Sequence, residues 1–373
     1  MRRGHSAGRR VAIVDGGSFV LPYDHALAQG LTRQGMAVTF FGSRTRYNGE
    51  FLEDLCSSPG VQVIDGAVSG SVAPRWRGVL AYAGLLFALW RQRAAFSAIN
   101  LQFSVLWPLE LPLLMLLRDR LVYTVHNAVP HGFGGQRHWP TAWIAALARR
   151  LVFLSESARE EFMRRYGARH RAKAVLLRHG LLPPAPGVAA VPYRPRGAPQ
   201  ALAFWGTVKA YKGVELFAEL ARAPVWQAQG IALEVHGRWD VALQPLRDEL
   251  IGLGVTVEDR YLDSAALQAL MARDVVFLLP YRAASQSGAL YTLLHQGCRF
   301  LCSDVGDLGD FMRRFGLQGL LLRERNAQSV IDALPQAQTE ATLRALQAAQ
   351  PQLQWDAVLA DAPQAYDLGD GPP

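Results

Sequence analysis

Twice along this 373-residue chain, short apolar runs alternate with stretches of helical spacing, and a proline-rich segment separates the two series. In the first series Val11–Val14, Met36–Phe41, Val61–Ile64, Ser97–Asn100, Leu121–Val125 and Arg150–Leu154 read as strands. In the second, Leu202–Trp205, Ala232–Val235, Val255–Val257, Val275–Leu279 and Arg299–Cys302 do so. Strands with helices between them need crossover connections, and crossovers give parallel, doubly wound sheets. The expectation is an α/β protein of two Rossmann-like domains, residues 1–185 and 200–350. Leu181–Pro199, rich in Pro, Gly and Ala, supplies the linker, centred on 186–199, and a closing segment follows at 351–373. A cleft between two such halves is the natural place for a ligand.

Half of the residues are hydrophobic and 19% are charged, enough for two ordinary cores. Three cysteines without a paired Cys/His motif give neither a disulfide framework nor a zinc site, and a reducing cytosol fits them. Positive charge is concentrated early: residues 1–190 hold 23 Lys and Arg against 11 Asp and Glu, the remainder 16 against 20. That asymmetry points the first half at an anionic surface or substrate. No nucleic-acid-binding motif accompanies it, so a nucleic-acid partner is not expected. No signal peptide is read at the start, where Asp15 ends the first apolar run. Gly78–Trp90 is the longest apolar stretch, flanked by Arg75, Arg77, Arg91 and Arg93 with Trp76 and Trp90 at its ends. It is too short to span a bilayer and reads either as a core helix or as a helix lying in a membrane interface.

Four places could carry chemistry. Only three of the 39 basic residues are lysines, and two of them, Lys209 and Lys212, share the segment Phe204–Gly213. A strand ending at Trp205, then Gly206, then a helix from about Val214 puts both ammonium groups at a strand's carboxyl end, where anions collect. Chance in an arginine-rich genome, or a plain surface loop, is the other reading. Pro280–Leu290 follows another strand, and its Ser287, Gly288 and Ala289 begin a helix whose unpaired N–H groups would face a phosphate, with Arg282 adding charge. A simple N-cap explains the same residues. Tyr123–Asn127 ends in His126 at the sheet's edge, with His131 beyond, and a satisfied structural histidine is the alternative. Lastly, Gly16 and Gly17 after Asp15 would allow close approach of a ligand to the backbone, without the full dinucleotide fingerprint.

In this order the segments resemble the GT-B glycosyltransferases, most nearly family 4 and related bacterial polysaccharide enzymes, over roughly Val11–Tyr366. Phe204–Gly213 is similar to the family's glycine-to-"Arg-Pro-Tyr-Lys-Gly" loop, and Pro280–Gly288 to its "Pro-Tyr-Arg-x-Ala-Thr-Gln-Ser-Gly" donor-phosphate loop. Tyr123–His131 looks like "Thr-Val-His-Asn-x-x-Pro-His", and Val305–Asp310 stands where "Val-Gly-Gly-Leu-x-Glu" is usual. Gln354-Trp-Asp356 onward resembles the closing helix that crosses back to the first domain.

The resemblance implies a nucleotide diphosphate sugar donor, with Lys209 and Lys212 neutralising the departing diphosphate. Gly206, Arg282, Gln286, Ser287, Gly288, Ala289 and Asp310 would bind the donor, His126 would face the sugar, and Gly16 and Gly17 would lie close to donor or acceptor. No Asp-x-Asp motif occurs, so neither a metal nor any other cofactor is expected. One departure stands out: Ala284 and Thr292 occupy the positions of the family's paired glutamates. This leaves retention or inversion open; inversion would need a base, for which Asp15, Asp24 and His126 are candidates. The expected activity is sugar transfer to a lipid-linked or oligosaccharide acceptor in surface polysaccharide assembly. Its expected site is the cytoplasmic face of the cell membrane, bound peripherally to anionic lipid. A nucleotide-sugar epimerase or hydrolase on this fold, or a non-catalytic binder, are the rival expectations.

Overall fold

Each series of apolar runs folds into its own parallel sheet in the computed structural model, which describes residues 9–45, 47–66, 75–128 and 138–366. The first sheet holds β1 (Arg10–Val14), β2 (Ala37–Gly42), β3 (Val61–Asp65), β4 (Ala98–Leu101), β5 (Leu121–Val125), β6 (Arg150–Phe153) and β7 (Ala174–Leu176) in the order 3-2-1-4-5-6-7. The second holds β8 (Ala201–Trp205), β9 (Ala232–His236), β10 (Thr256–Glu258), β11 (Val275–Leu279), β12 (Arg299–Ser303) and β13 (Leu321–Leu322) in the order 10-9-8-11-12-13. Strands buried on both faces read as unbroken apolar runs, and β5 and β11 are buried at every position. The strand order reverses beside β1 in one sheet and beside β8 in the other, so loops at those carboxyl ends open away from each other and leave a crevice.

The chain divides into two units, residues 1–180 with 354–373, and residues 181–353. Tyr82, Phe41, Phe153 and Phe162 anchor the first core, and Phe204, Phe217, Phe277 and Phe300 are fully buried in the second. Residues 354–366 pack on the first unit: Trp355, Leu359 and Tyr366 are buried, and Asn100 Nδ2 donates to the Tyr366 hydroxyl at 3.0 Å. The proline-rich stretch is not a free tether. Val191 N–H donates to His295 O at 2.7 Å, the buried Tyr193 hydroxyl donates to Cys298 O at 3.1 Å, and the segment lies within the second unit. Prolines keep it out of a sheet, while its leucines and tyrosine give it apolar surface to bury.

The Arg75–Gln92 helix buries one face and exposes the other. Tyr82, Leu85 and Leu89 enter the core on one face, and Trp76, Leu80 and Phe87 are exposed on the other. His131 lies outside the described residues.

Candidate active site

Loops after β1, β4 and β5 form the carboxyl edge of the first sheet. His126 follows β5 and is buried, with its Nε2 2.6 Å from Gln102 Oε1. Its ring stacks on Phe103 at 4.7 Å and meets Tyr23 edge-on at 5.2 Å. This imidazole is thus fixed in orientation by the loop after β4 and by the Leu21–Arg33 helix. Asp15 ends β1 and accepts the Val20 N–H at 3.1 Å, and its carboxyl adjoins that of Asp24 from the Leu21–Arg33 helix. Both carboxyls are fully buried; burial first, then each other's charge for Asp24, raises them, Asp15 to about 6. Gly16 is demanded by internal packing, since a Cβ there would lie 2.4 Å from the Tyr82 ring. At Gly17 the neighbour is Phe19, an exposed ring.

At the carboxyl edge of the second sheet, β8 runs into Gly206, then a 3-10 turn at Ala210–Lys212, then Gly213 in the left-handed region. The helix after it begins at Leu216, two residues later than the expected Val214, because that turn and Gly213 take up the start. Among the described residues, neither Lys209 nor Lys212 has a carboxylate or a hydrogen-bond partner. Lys209 is exposed; Lys212 is half-buried, its Nζ 5.7 Å from the Phe204 ring centre and 5.6 Å from that of Tyr281. Burial, and secondly the charge of Lys209, lower Lys212 to about 8. An ammonium held on aromatic faces beside a second ammonium is electrostatically able to accept an anion.

The β11 loop closes on this turn. Arg282 N–H donates to Tyr211 O at 2.7 Å, and a Cβ at Gly213 would fall 2.0 Å from Pro280 O. Ser287 caps the Gly288–His295 helix, accepting the Leu290 N–H at 3.3 Å, so Gly288 and Ala289 stand in its first turn as expected. Gln286 immediately precedes this cap and is half-buried. The Arg282 guanidinium is exposed and already has a carboxylate partner. It is paired with Glu215, Nε at 3.0 Å and Nη2 at 2.6 Å, and Glu215 also holds Arg325. Asp310 is half-buried, 3.4 Å from an Arg313 nitrogen.

Sequence reading missed Glu215, Gln102, Phe103 and Asp307. Asp307 is buried, accepts the Tyr291 hydroxyl at 3.1 Å, and is pushed by burial up to about 7. It sits three residues before Asp310, in the segment already singled out, so its position was visible and its burial was not. Gln102 and Phe103 follow β4, the strand beside the topological switch, which was the signal available for them. Among the described residues no cluster of three His, Cys, Asp or Glu side chains is placed to hold a metal ion.

Residues 23–181 match the family model of Glycosyltransferase Family 4. No curated protein matches the chain significantly. Solved structures of the same fold include HepE from Anabaena in complex with UDP and glucose, at TM-score 0.64 and 16% identity over 98% of this chain and 100% of that one. The catalytic domain of starch synthase IV from Arabidopsis thaliana, bound to ADP and acarbose, aligns at TM-score 0.68 and 12% identity over 97% and 99%. WaaG, a glycosyltransferase involved in lipopolysaccharide biosynthesis, aligns at 0.58 and 14% over 97% and 100%. Two doubly wound parallel sheets give this chain the fold of these solved structures, and the family match covers residues 23–181, fewer than half of the chain.

Proposed function

We propose that this chain transfers a sugar from a nucleotide diphosphate sugar to a lipid-linked or oligosaccharide acceptor during cell-surface polysaccharide assembly, without a metal ion. The observation that carries the reading is the pair of lysines, without a carboxylate or hydrogen-bond partner among the described residues, beside the Ser287–Ala289 helix start. Negative charge grows on the diphosphate as the glycosidic bond breaks, and two fixed ammonium groups stabilise it where other folds use a divalent cation. Arg282 then acts through Glu215, holding the β11 loop against the lysine turn. Gln286, Ser287, Gly288 and Ala289 would contribute backbone and side-chain donors to the same diphosphate, with Asp310 near them and Gly206 leaving room for Lys212. His126, Gly16 and Gly17 serve the acceptor side in this scheme. Structures of this fold hold UDP or ADP, which makes those the nucleotides to try first.

Membrane contact is supported by where the apolar side chains are. Trp76, Leu80 and Phe87 of one helix, Trp107, Met115 and Leu116 of the Trp107–Leu117 helix, and Trp139 and Trp143 of the Trp139–Leu147 helix are all exposed on neighbouring helices of the first unit. Arg77 and Arg93 lie over the Trp76 and Trp90 rings, at 5.4 and 4.7 Å. Aromatic and apolar groups bordered by arginines suit the interface of an anionic bilayer, such as the inner face of a cell membrane. Among the described residues no helix is long and apolar enough to cross one.

A panel of UDP- and ADP-sugars scored by thermal shift tests the donor. One sugar should stabilise the wild type and fail to stabilise Lys209→Ala/Lys212→Ala; stabilisation unchanged in the variant would remove the diphosphate role. Asp307, held near neutrality beside the donor loops, favours donor hydrolysis as a second reading. Turnover of the donor at full rate without any acceptor would decide for it.

A further inference from the structure

A second basic site lies at the opposite, amino-terminal edge of the second sheet. There a cavity of about 210 Å³ is lined by Arg194, Arg196 and Arg299 and by Thr339, the N-cap of the ten-residue Glu340–Ala349 helix. Arg299 is the first residue of β12 and is only 6% exposed. Its Nη1 donates to Gly197 O at 2.7 Å, but its Nε and Nη2 are buried without a hydrogen-bond partner among the described residues. Asp274, at 3.7 Å from Nη2, is an ion-pair partner beyond hydrogen-bond length, so it offsets part of the charge and satisfies neither donor. A buried guanidinium with unused donors is costly unless something supplies acceptors. Arg196 spends one nitrogen on Met271 O and Arg273 O, while Arg194 is exposed and has no partner among the described residues. Thr339 caps the Thr342 N–H at 3.2 Å, and the rest of that first helical turn adds backbone donors and the positive end of the helix. The one acid on the lining, Glu340, is exposed and forms a long ion pair with Arg344 at 3.6 Å, also beyond hydrogen-bond length.

Oxyanion recognition explains the arginines and the helix start, but not the remaining wall. Pro195, Leu343 and Leu346 make that wall apolar, and the volume falls below the roughly 300–1,000 Å³ of sites for larger ligands. We propose that this cavity binds a small metabolite with an oxyanion head, phosphomonoester or carboxylate, on a compact apolar body. The head lies between Arg299, Arg194 and the helix start, and the body lies against Leu343 and Leu346. The site is separate from the lysine turn, because it is at the other end of the same strands.

Calorimetric titration with phenyl phosphate, benzoate and inorganic phosphate tests this, in the wild type and in Lys209→Ala/Lys212→Ala. Expected is one saturable site for phenyl phosphate or benzoate with a Kd near or below about 1 mM, unchanged by the lysine substitutions. The tighter of the two identifies the head group. Arg299→Gln should weaken it about tenfold or more, as the loss of a charge-assisted pair does. Leu343→Trp, which fills the cavity from a half-exposed position, should abolish binding and covers the case in which Arg299→Gln unfolds. Absence of saturable binding, binding unaffected by Leu343→Trp, or binding lost with the two lysines overturns the proposal. Inorganic phosphate binding as tightly as phenyl phosphate would overturn the role of the apolar wall.

Discussion

At the carboxyl edge of the first sheet, His126 is held by Gln102 and Phe103 and Asp15 shares its site with Asp24. At the same edge of the second sheet, Lys209 and Lys212 have no partner among the described residues. Both edges are made by the same architecture, so the difference lies in the loops and not in the fold. A held imidazole beside buried carboxyls suits orientation and proton handling; unpartnered ammonium groups suit a ligand that brings its own negative charge. The outer surfaces differ as well. Exposed tryptophans gather on three adjoining helices of the first unit, whereas the second exposes only separate residues such as Val225, Val241 and Ile251.

The sharpest break of this comparison is to disarm the second edge. Lys212→Ala should lower kcat/KM for transfer by about 10²–10³-fold, the usual loss when a donor to developing charge is removed, with an unchanged melting temperature. In the wild type, kcat/KM should fall as pH rises through about 8, where free Lys212 loses its proton, and Lys212→Ala should flatten that limb. A pH profile without a break near 8 would contradict the role. Next in size, the paired substitution Leu80→Glu and Leu116→Glu should reduce binding to vesicles containing anionic lipid by about tenfold or more, through lost apolar burial and added negative charge. Wild-type protein that never sediments with such vesicles at low salt would remove the membrane reading.

A smaller effect sharpens the first edge. Because Asp15 and Asp24 are raised in the folded state, their contribution to stability is complete below the ordinary value near 3.8. It is lost as pH rises through about 6. Asp24→Asn should therefore raise the melting temperature at pH 7.5 by about 2–4 °C and leave it unchanged at pH 4. If the pair also handles the acceptor proton, the stabilised variant will be slow. Smallest of all is the second unit's His236. Burial opposes its charge, but Glu234 and Glu258, each 2.9 Å away, outweigh it and raise its affinity for a proton. That stability is present below 6.5 and lost at higher pH, so His236→Gln should cost more at pH 5.5 than at pH 8.5 in a denaturation series.

Eleven strands were legible because most are buried apolar runs between helical stretches; β3 and β10, with no fully buried position, were read from their β-branched residues. The missing two, β7 and β13, are edge strands of three and two residues with no period to show; β10 is as short but begins beside the β-branched run Val255–Val257. Lys209 and Lys212 were legible because lysine is rare in this chain. The pairing of Arg282 with Glu215 was not legible: among so many arginines nothing in the sequence tells which are paired, and Glu215 is 67 residues away. Asp307 escaped notice because burial, not residue type or spacing, is what makes it unusual.

Several glycines at the second edge have a further consequence. Besides the tight fit of Gly213 on Pro280 O, a Cβ at Gly237 would lie 2.0 Å from Gly206 O, and one at Gly306 would lie 1.6 Å from Ala284 O. All three have positive φ, so backbone meets backbone and no side chain can yield. A saturation mutagenesis screen would score these positions as harshly as the lysines, although none of them offers a side chain to the sugar. Their intolerance would mark the seams at which separate loops are locked into one rigid cradle before any donor arrives.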